Sequence, residues 1–237
     1  MNYKKLIYLL LCMVSLSVAA KPKVLIFCKT AGFHHNCIAV GVPAIIKLGL
    51  ENNFDVDSTT DSKKFTYDNL KQYAAVIFLN TTGDVLNDGQ QGEFEKYIKA
   101  GGGFVGVHSA TDTEYNWQWY GNLVGAYFKI HPAQQFAILN VVDHDFMATK
   151  HLPAEWRRFD EWYNFKWIAP DLHVLIKIDE KTYTGGLNGD NHPMAWYHDY
   201  DGGRAFYTEL GHTDDSYTDP LYLKHLLGGI DYAMGVK

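Results

Sequence analysis

Eleven of the 237 residues are histidine, and those best placed for chemistry follow runs that read as strands. His34 and His35 come after Lys23-Val-Leu-Ile-Phe-Cys28, His108 directly follows Gly103-Phe-Val-Gly-Val107, and His212 comes after Arg204-Ala-Phe-Tyr-Thr208. Imidazole changes charge near pH 6.5, so each of these residues can act as a base or as a metal ligand. Three imidazoles meeting at one point suit Zn²⁺ or a similar divalent ion with an open position, which would acidify water or polarise a carbonyl. The candidate metal set is His35, His108 and His212. The same histidines can also stand apart, as hydrogen-bonding groups in a sugar pocket.

Gly106-Val-His-Ser-Ala110 has small residues on both sides of a strand end, the pattern of a sharp turn that presents one side chain above a sheet. The residue presented is His108, which can be a base, a ligand or a hydrogen-bonding strut. With neither Cys nor Ser at the apex, covalent acyl transfer of the usual kind is not expected. Asp160-Glu161 offers a carboxylate pair for acid–base work or for holding an imidazole in one tautomer. His108, His212, Glu161 and Asp160 form the candidate catalytic set. Asp112 and Glu114 compete for the carboxylate role, and Asp112 with His34, Tyr115, His131, His192 and Arg204 makes up the candidate substrate-binding set. Gly101-Gly-Gly103-Phe-Val-Gly106 matches G-x-G-x-x-G, but it precedes a strand instead of opening a helix, so no nucleotide site is expected there.

The elements needed to position these residues alternate along the chain. Lys23–Cys28, Ala74–Leu79 and Gly103–Val107 are continuous apolar runs, as in strands buried on both faces, and Phe54–Ser58 alternates. Helical stretches over 36–51 and 87–100 separate them. This order implies a right-handed parallel sheet with both faces covered, and ligands in such sheets bind outside the carboxyl ends of the strands. After Ala110 the rhythm changes: 111–128 is rich in Tyr and Trp, 136–142 and 172–178 read as strands, and 222–234 as an amphipathic helix. Asp199-Tyr-Asp-Gly202 reads as a hairpin turn. A chain 47% apolar and 20% charged supports one core, and a net charge of −6 without a dense basic run argues against nucleic acid.

At the N-terminus, Lys4-Lys5, the apolar run Leu6–Val18 and Val18-Ala-Ala20 make a cleavable export signal over residues 1–20. A membrane span needs about 20 apolar residues, more than this run supplies. The expectation is a single domain over 21–237, secreted to the periplasm or beyond. Cys12 has no convincing lipidation pattern before it. Cys28 and Cys37 can pair in an oxidising compartment or stay as core thiols, the better fit for a cysteine ending a buried strand.

Five ordered motifs, Gly32-Phe-His-His35, the run Gly102–Thr113, Asp160-Glu-Trp-Tyr163, His192-Pro-Met-Ala-Trp196 and Gly211-His-Thr213, resemble the ThuA-like (trehalose utilisation) family over about 23–235. The resemblance implies a flavodoxin-like α/β three-layer sandwich with a mostly parallel central sheet, of the class I glutamine amidotransferase-like type. Amidotransferases carry a cysteine where this chain has His108, so glutamine hydrolysis is rejected. The resemblance further implies disaccharide or glycoside catabolism, in particular routes through 3-keto sugars. A C3 ketone acidifies the C2 proton, so metal- or histidine-assisted elimination would release the aglycone. The rival expectation is a non-catalytic sugar-binding protein that kept the pocket and lost the chemistry.

Overall fold

The computed structural model describes residues 20–236; the expected export signal lies outside them except for Ala20, and so does Cys12. Among the described residues the strands are β1 (Lys23–Phe27), β2 (Asp55–Thr59), β3 (Ala75–Leu79), β4 (Gly103–Val107), β5 (Ala126–Ile130), β6 (Gln135–Val141), β7 (Glu155–Asp160), β8 (Asn164–Ile168), β9 (His173–Ile178), β10 (Pro193–Tyr200) and β11 (Gly203–Thr208). The helices are α1 (Ile38–Glu51), α2 (Tyr67–Leu70), α3 (Asp88–Lys99), α4 (Gln118–Val124) and α5 (Pro220–Met234). None is long and apolar enough to cross a membrane.

Nine strands form one sheet in the order β2-β1-β3-β4-β11-β10-β9-β6-β7. The first five run parallel, and the strands from β10 onward pair antiparallel. The parallel half has the flavodoxin-like order, with β11 in the place of the fifth strand. β3 and β4 are buried at every position, which explains their unbroken apolar runs. α1 and α5 cover one face, both touching the turn at Asp214–Thr218, while α2, α3 and α4 lie on the other. The helix boundaries follow local chemistry. Asn87 and Gln90 close a capping box at the start of α3, and Asp219 caps α5 ahead of Pro220.

The triple glycine packs the sheet. A Cβ on Gly103 would come within 2.2 Å of the Ala233 carbonyl oxygen on α5, so only glycine lets strand and helix approach this closely. The turn expected at 199–202 joins β10 to β11, with Asp201 and Gly202 both at positive φ, as a tight hairpin requires. β7 was not among the expected strands; it pairs with β6 at the sheet edge and alternates exposed and buried residues. Cys28 and Cys37 are separate buried thiols. Cys37 bonds the Gly211 carbonyl and Cys28 contacts the Thr59 carbonyl. The aromatic-rich insertion contributes a separate β5–β8 ribbon, which stands beside the carboxyl edge of the sheet.

Candidate functional site

The three strand-end histidines meet. One donor atom from each of His35, His108, His212 and Glu161 can be chosen so that all four lie within 4.8 Å of one another. The histidine ring centroids form a near-equilateral triangle of 5.0, 5.0 and 5.1 Å. Each side chain comes from a different carboxyl-edge segment: the loop after β1, the turn after β4, the residue after β7 and the loop after β11.

The backbone fixes His108. It leaves β4 at φ +49°, a left-handed conformation uncommon outside glycine, and so turns its ring toward the site. Its Nδ1–H donates to the Glu209 carbonyl at 2.8 Å, and Tyr207 donates its hydroxyl to the His108 carbonyl. That first bond assigns the tautomer and leaves Nε2 as a lone-pair donor, 3.0 Å from His212 Nδ1 and 3.5 Å from Glu161 Oε2. Glu161 Oε2 lies 3.1 Å from His212 Nδ1, while Oε1 faces His131 Nδ1 at 3.2 Å. Burial works against the Glu161 charge, but the His108 and His212 imidazoles beside it hold its carboxyl below the ordinary range. His35 is driven the other way, down to about 2, by burial and then by the neighbouring imidazoles, so it sits neutral.

Asp160 does not face the site. It is fully buried and accepts from the Gly211 and His212 backbone N–H groups, from the Ser216 hydroxyl and from the Glu161 N–H. It therefore positions the His212 loop, correcting the catalytic role expected for it. Asn80, at φ +51° after β3, ties the same loops together by donating to the Gly211 carbonyl and to Cys37 Sγ. Gly211 itself is at φ +111°, and a Cβ there would strike the Tyr222 hydroxyl.

The expected substrate contacts divide. Asp112 and His131 line a cavity of about 260 Å³ with Phe33, His35, Phe128, Glu161 and Tyr163. Burial raises the Asp112 carboxyl above its usual value, against the Tyr115 O–H that donates to Oδ1 at 2.6 Å. Tyr115 thus acts through Asp112, with Phe128 O as a second acceptor. His34 is exposed and its ring meets the Thr30 hydroxyl, outside the cluster. His192 is a buried strut between Glu180 Oε1 and the Tyr163 carbonyl. Arg204 lies near the amino end of β11, at the opposite edge of the sheet, where it donates to the Tyr232 and Ala233 carbonyls that end α5. The Arg204 and His192 assignments are corrected accordingly.

Four contributors were given no role from the sequence. Gln134 meets His212 Nε2 at 2.8 Å, and its only signal was its place just after His131-Pro132. Phe128 and Tyr163 face each other with centroids 4.1 Å apart beside the cluster. Glu209 is fully buried behind His108; Oε1 accepts the Tyr163 N–H, and Oε2 has no partner among the described residues. Burial and then the nearby Asp160 push its carboxyl well above the ordinary range. A lone acid closing an apolar strand was a signal that could have been read.

Three neutral-capable imidazoles and one carboxylate suit a divalent ion such as Zn²⁺, with His108 already held in a ligand tautomer. A half-turn of the Gln134 amide would offer its oxygen to His212 Nε2–H and free Nδ1 as a donor. The donor set fits such an ion.

No curated protein matches the chain. Among solved structures it is similar to a ThuA-like protein from Bacteroides uniformis, at 26% identity and a TM-score of 0.76, over 91% of this chain and 93% of that one. A ThuA-like protein from Parabacteroides merdae matches at 24% identity and 0.70, over 91% of each chain. A β-galactosidase from Bacillus circulans sp. alkalophilus shares the fold alone, at 14% identity and 0.59, over 92% of this chain and 32% of that one. The family model described as trehalose utilisation, ThuA, matches residues 23–233, and the chain belongs to that family.

Proposed function

We propose that this protein releases the aglycone from 3-keto-glycosides, trehalose-like disaccharides among them, by eliminating across C1 and C2. The observation that carries the reading is the buried convergence of His35, His108, Glu161 and His212 on a cavity that also holds His131 and Asp112. The family description, trehalose utilisation, agrees with it.

A ketone at C3 makes the C2 hydrogen acidic, because the electron pair left behind delocalises onto the carbonyl oxygen. His131 is placed to take that proton. Its Nδ1 faces the Pro132 carbonyl and Glu161 Oε1, so Nε2 remains free as the acceptor, and the carboxylate stabilises the imidazolium that forms. The C1–O bond then breaks, its electrons leave with the aglycone oxygen, which collects a proton from water, and a C1–C2 double bond forms. Addition of water to that enone returns the free 3-keto sugar. Asp112 is placed to accept a sugar hydroxyl, while Phe128 and Tyr163 offer apolar rings to a pyranose face. A divalent ion bound by His35, His108, Glu161 and His212 would stabilise negative charge developing on the substrate oxygen.

Incubation of purified protein with a 3-keto-disaccharide, followed by mass spectrometry, tests the reading. Free 3-keto-monosaccharide and aglycone are expected. The His131→Gln variant should lower kcat about 100-fold, in the range of a lost general base, and move KM little. Metal analysis should find about one transition-metal ion per chain, lost in His108→Ala. Turnover of unmodified trehalose at an equal rate would sink the mechanism. So would binding without turnover, which is what a purely sugar-binding protein would show.

A further inference from the structure

Two cavities open on the histidine cluster, and they differ in character. One is the aromatic cavity of Phe128, Tyr163, Asp112, His131 and Glu161; the other, of about 370 Å³, is walled by Asn36, Gln134, Thr213, Asp214 and Asp215. Both are lined by Phe33 and His35, so these two side chains form the partition between them. Phe33 is 66% exposed, an unusual position for a phenylalanine, and its ring stands edge-on to His35 at 4.8 Å. His35 is only 3% exposed, and among the described residues its ring has one hydrogen bond, between Nδ1 and the Ser109 hydroxyl, which leaves Nε2 without a partner.

A glycoside has the same two-part form: a ring that reacts, a bond that breaks and a group that leaves. The groups able to take a C2 proton or hold a ring hydroxyl, His131 and Asp112, face the aromatic side. The other side presents amide, hydroxyl and carboxylate groups, and its two exposed carboxylates accept hydrogen bonds from hydroxyls while repelling anions. Resting on the elimination reading above, we infer that the reacting ring occupies the aromatic cavity and a neutral, hydroxylated leaving group the polar one. In this arrangement Asp214 and Asp215 turn away leaving groups that carry phosphate or another negative charge. The scissile bond then crosses the partition beside Phe33, next to the cluster. Specificity for unphosphorylated glycosides arises from a repulsive element, not from an added attraction.

The test uses three non-cleavable probes titrated calorimetrically at low salt: a C-linked 3-keto-disaccharide, its one-ring C-methyl counterpart, and the disaccharide with a phosphate on the second ring. The disaccharide should bind about tenfold more tightly than the one-ring probe, and Asn36→Ala should bring the two within about twofold, as loss of hydrogen bonding to the second ring predicts. The phosphate should weaken wild-type binding about tenfold, and an Asp214→Asn/Asp215→Asn double variant should remove that penalty. These surface substitutions leave the core intact, which circular dichroism checks. An unchanged disaccharide preference in Asn36→Ala, a phosphate that costs nothing in the wild type, or no binding of any probe overturns the inference. Product formation from the cleavable disaccharide is scored separately. If the binding pattern holds but no product forms, the elimination reading fails and the two-cavity assignment stands.

Discussion

Acid should destabilise this protein through His225, by an amount that can be worked in advance. His225 on α5 is fully buried, its Nδ1 donating to the Ala148 carbonyl at 2.9 Å and its Nε2 meeting the Thr208 hydroxyl at 3.1 Å. Burial carries its pKa from 6.5 down to about 3, against the opposing effect of the Ala148 carbonyl. The folded value lies below the unfolded one, so the native state is favoured in full above pH 6.5. Below that pH the unfolded chain takes a proton that the native chain refuses, and stability falls by about 1.4 kcal/mol per pH unit until about pH 3. Between pH 7 and pH 5 the loss attributable to this residue is about 2 kcal/mol. Urea unfolding followed by tryptophan fluorescence, at both pH values, on wild type and His225→Gln reads it directly. His35, His192 and His198 are also held neutral by burial, but they titrate in both proteins and cancel in the difference. The wild type should lose about 2 kcal/mol more than the variant. Equal losses would refute the assignment.

Removing the Asp160 carboxylate by Asp160→Ala strands the Gly211 and His212 N–H groups and should cost about 3 kcal/mol in urea unfolding, since buried unpaired donors cost about 1–3 kcal/mol each. Arg204→Ala should lower stability by about 1–2 kcal/mol while leaving binding of the disaccharide probe unchanged, as expected for a clasp on the end of α5 and not a substrate contact. Gly103→Ala forces a Cβ against the Ala233 carbonyl and should cost about 3 kcal/mol or more in the same unfolding assay. Cys37, whose thiol burial and then Asp160 push up to about 12, should resist alkylation at pH 8 until denaturant is added, and mass spectrometry counts the labels.

The parallel half of the sheet was legible because burial on both faces leaves an unbroken apolar run, as in Ala75–Leu79. The cluster was partly legible for a related reason: in a parallel sheet, residues that follow different strands share one edge, so His35, His108 and His212 were expected at that edge, where they could either meet or stand apart. The same logic did not separate His34, which follows β1 but stays outside the cluster, from His35, and Arg204 opens its strand instead of closing it and therefore sits at the far edge. β7 was hidden because its inward positions include Arg158, whose charge is satisfied by Asp219, more than fifty residues later. Asp160 and His192 were named for their residue types, and their roles depend on bonds to the distant Gly211 and Glu180, which no local pattern encodes. The division into two cavities depends on loops from separate parts of the chain and was not readable at all.

The left-handed turn at His108 bears on when the site is assembled. A side chain held at φ +49° is kept there by its surroundings, here the Glu209 carbonyl, the Tyr207 hydroxyl and the fully buried end of β4. That strain is balanced once, by the folding of the sheet, and so is the entropy of fixing the imidazole. A ligand that arrives later meets groups already aimed, and little of its binding energy goes into ordering them. Free and occupied forms should therefore share one backbone around β4, and adjustment on binding should fall to exposed Phe33 and the His34 loop.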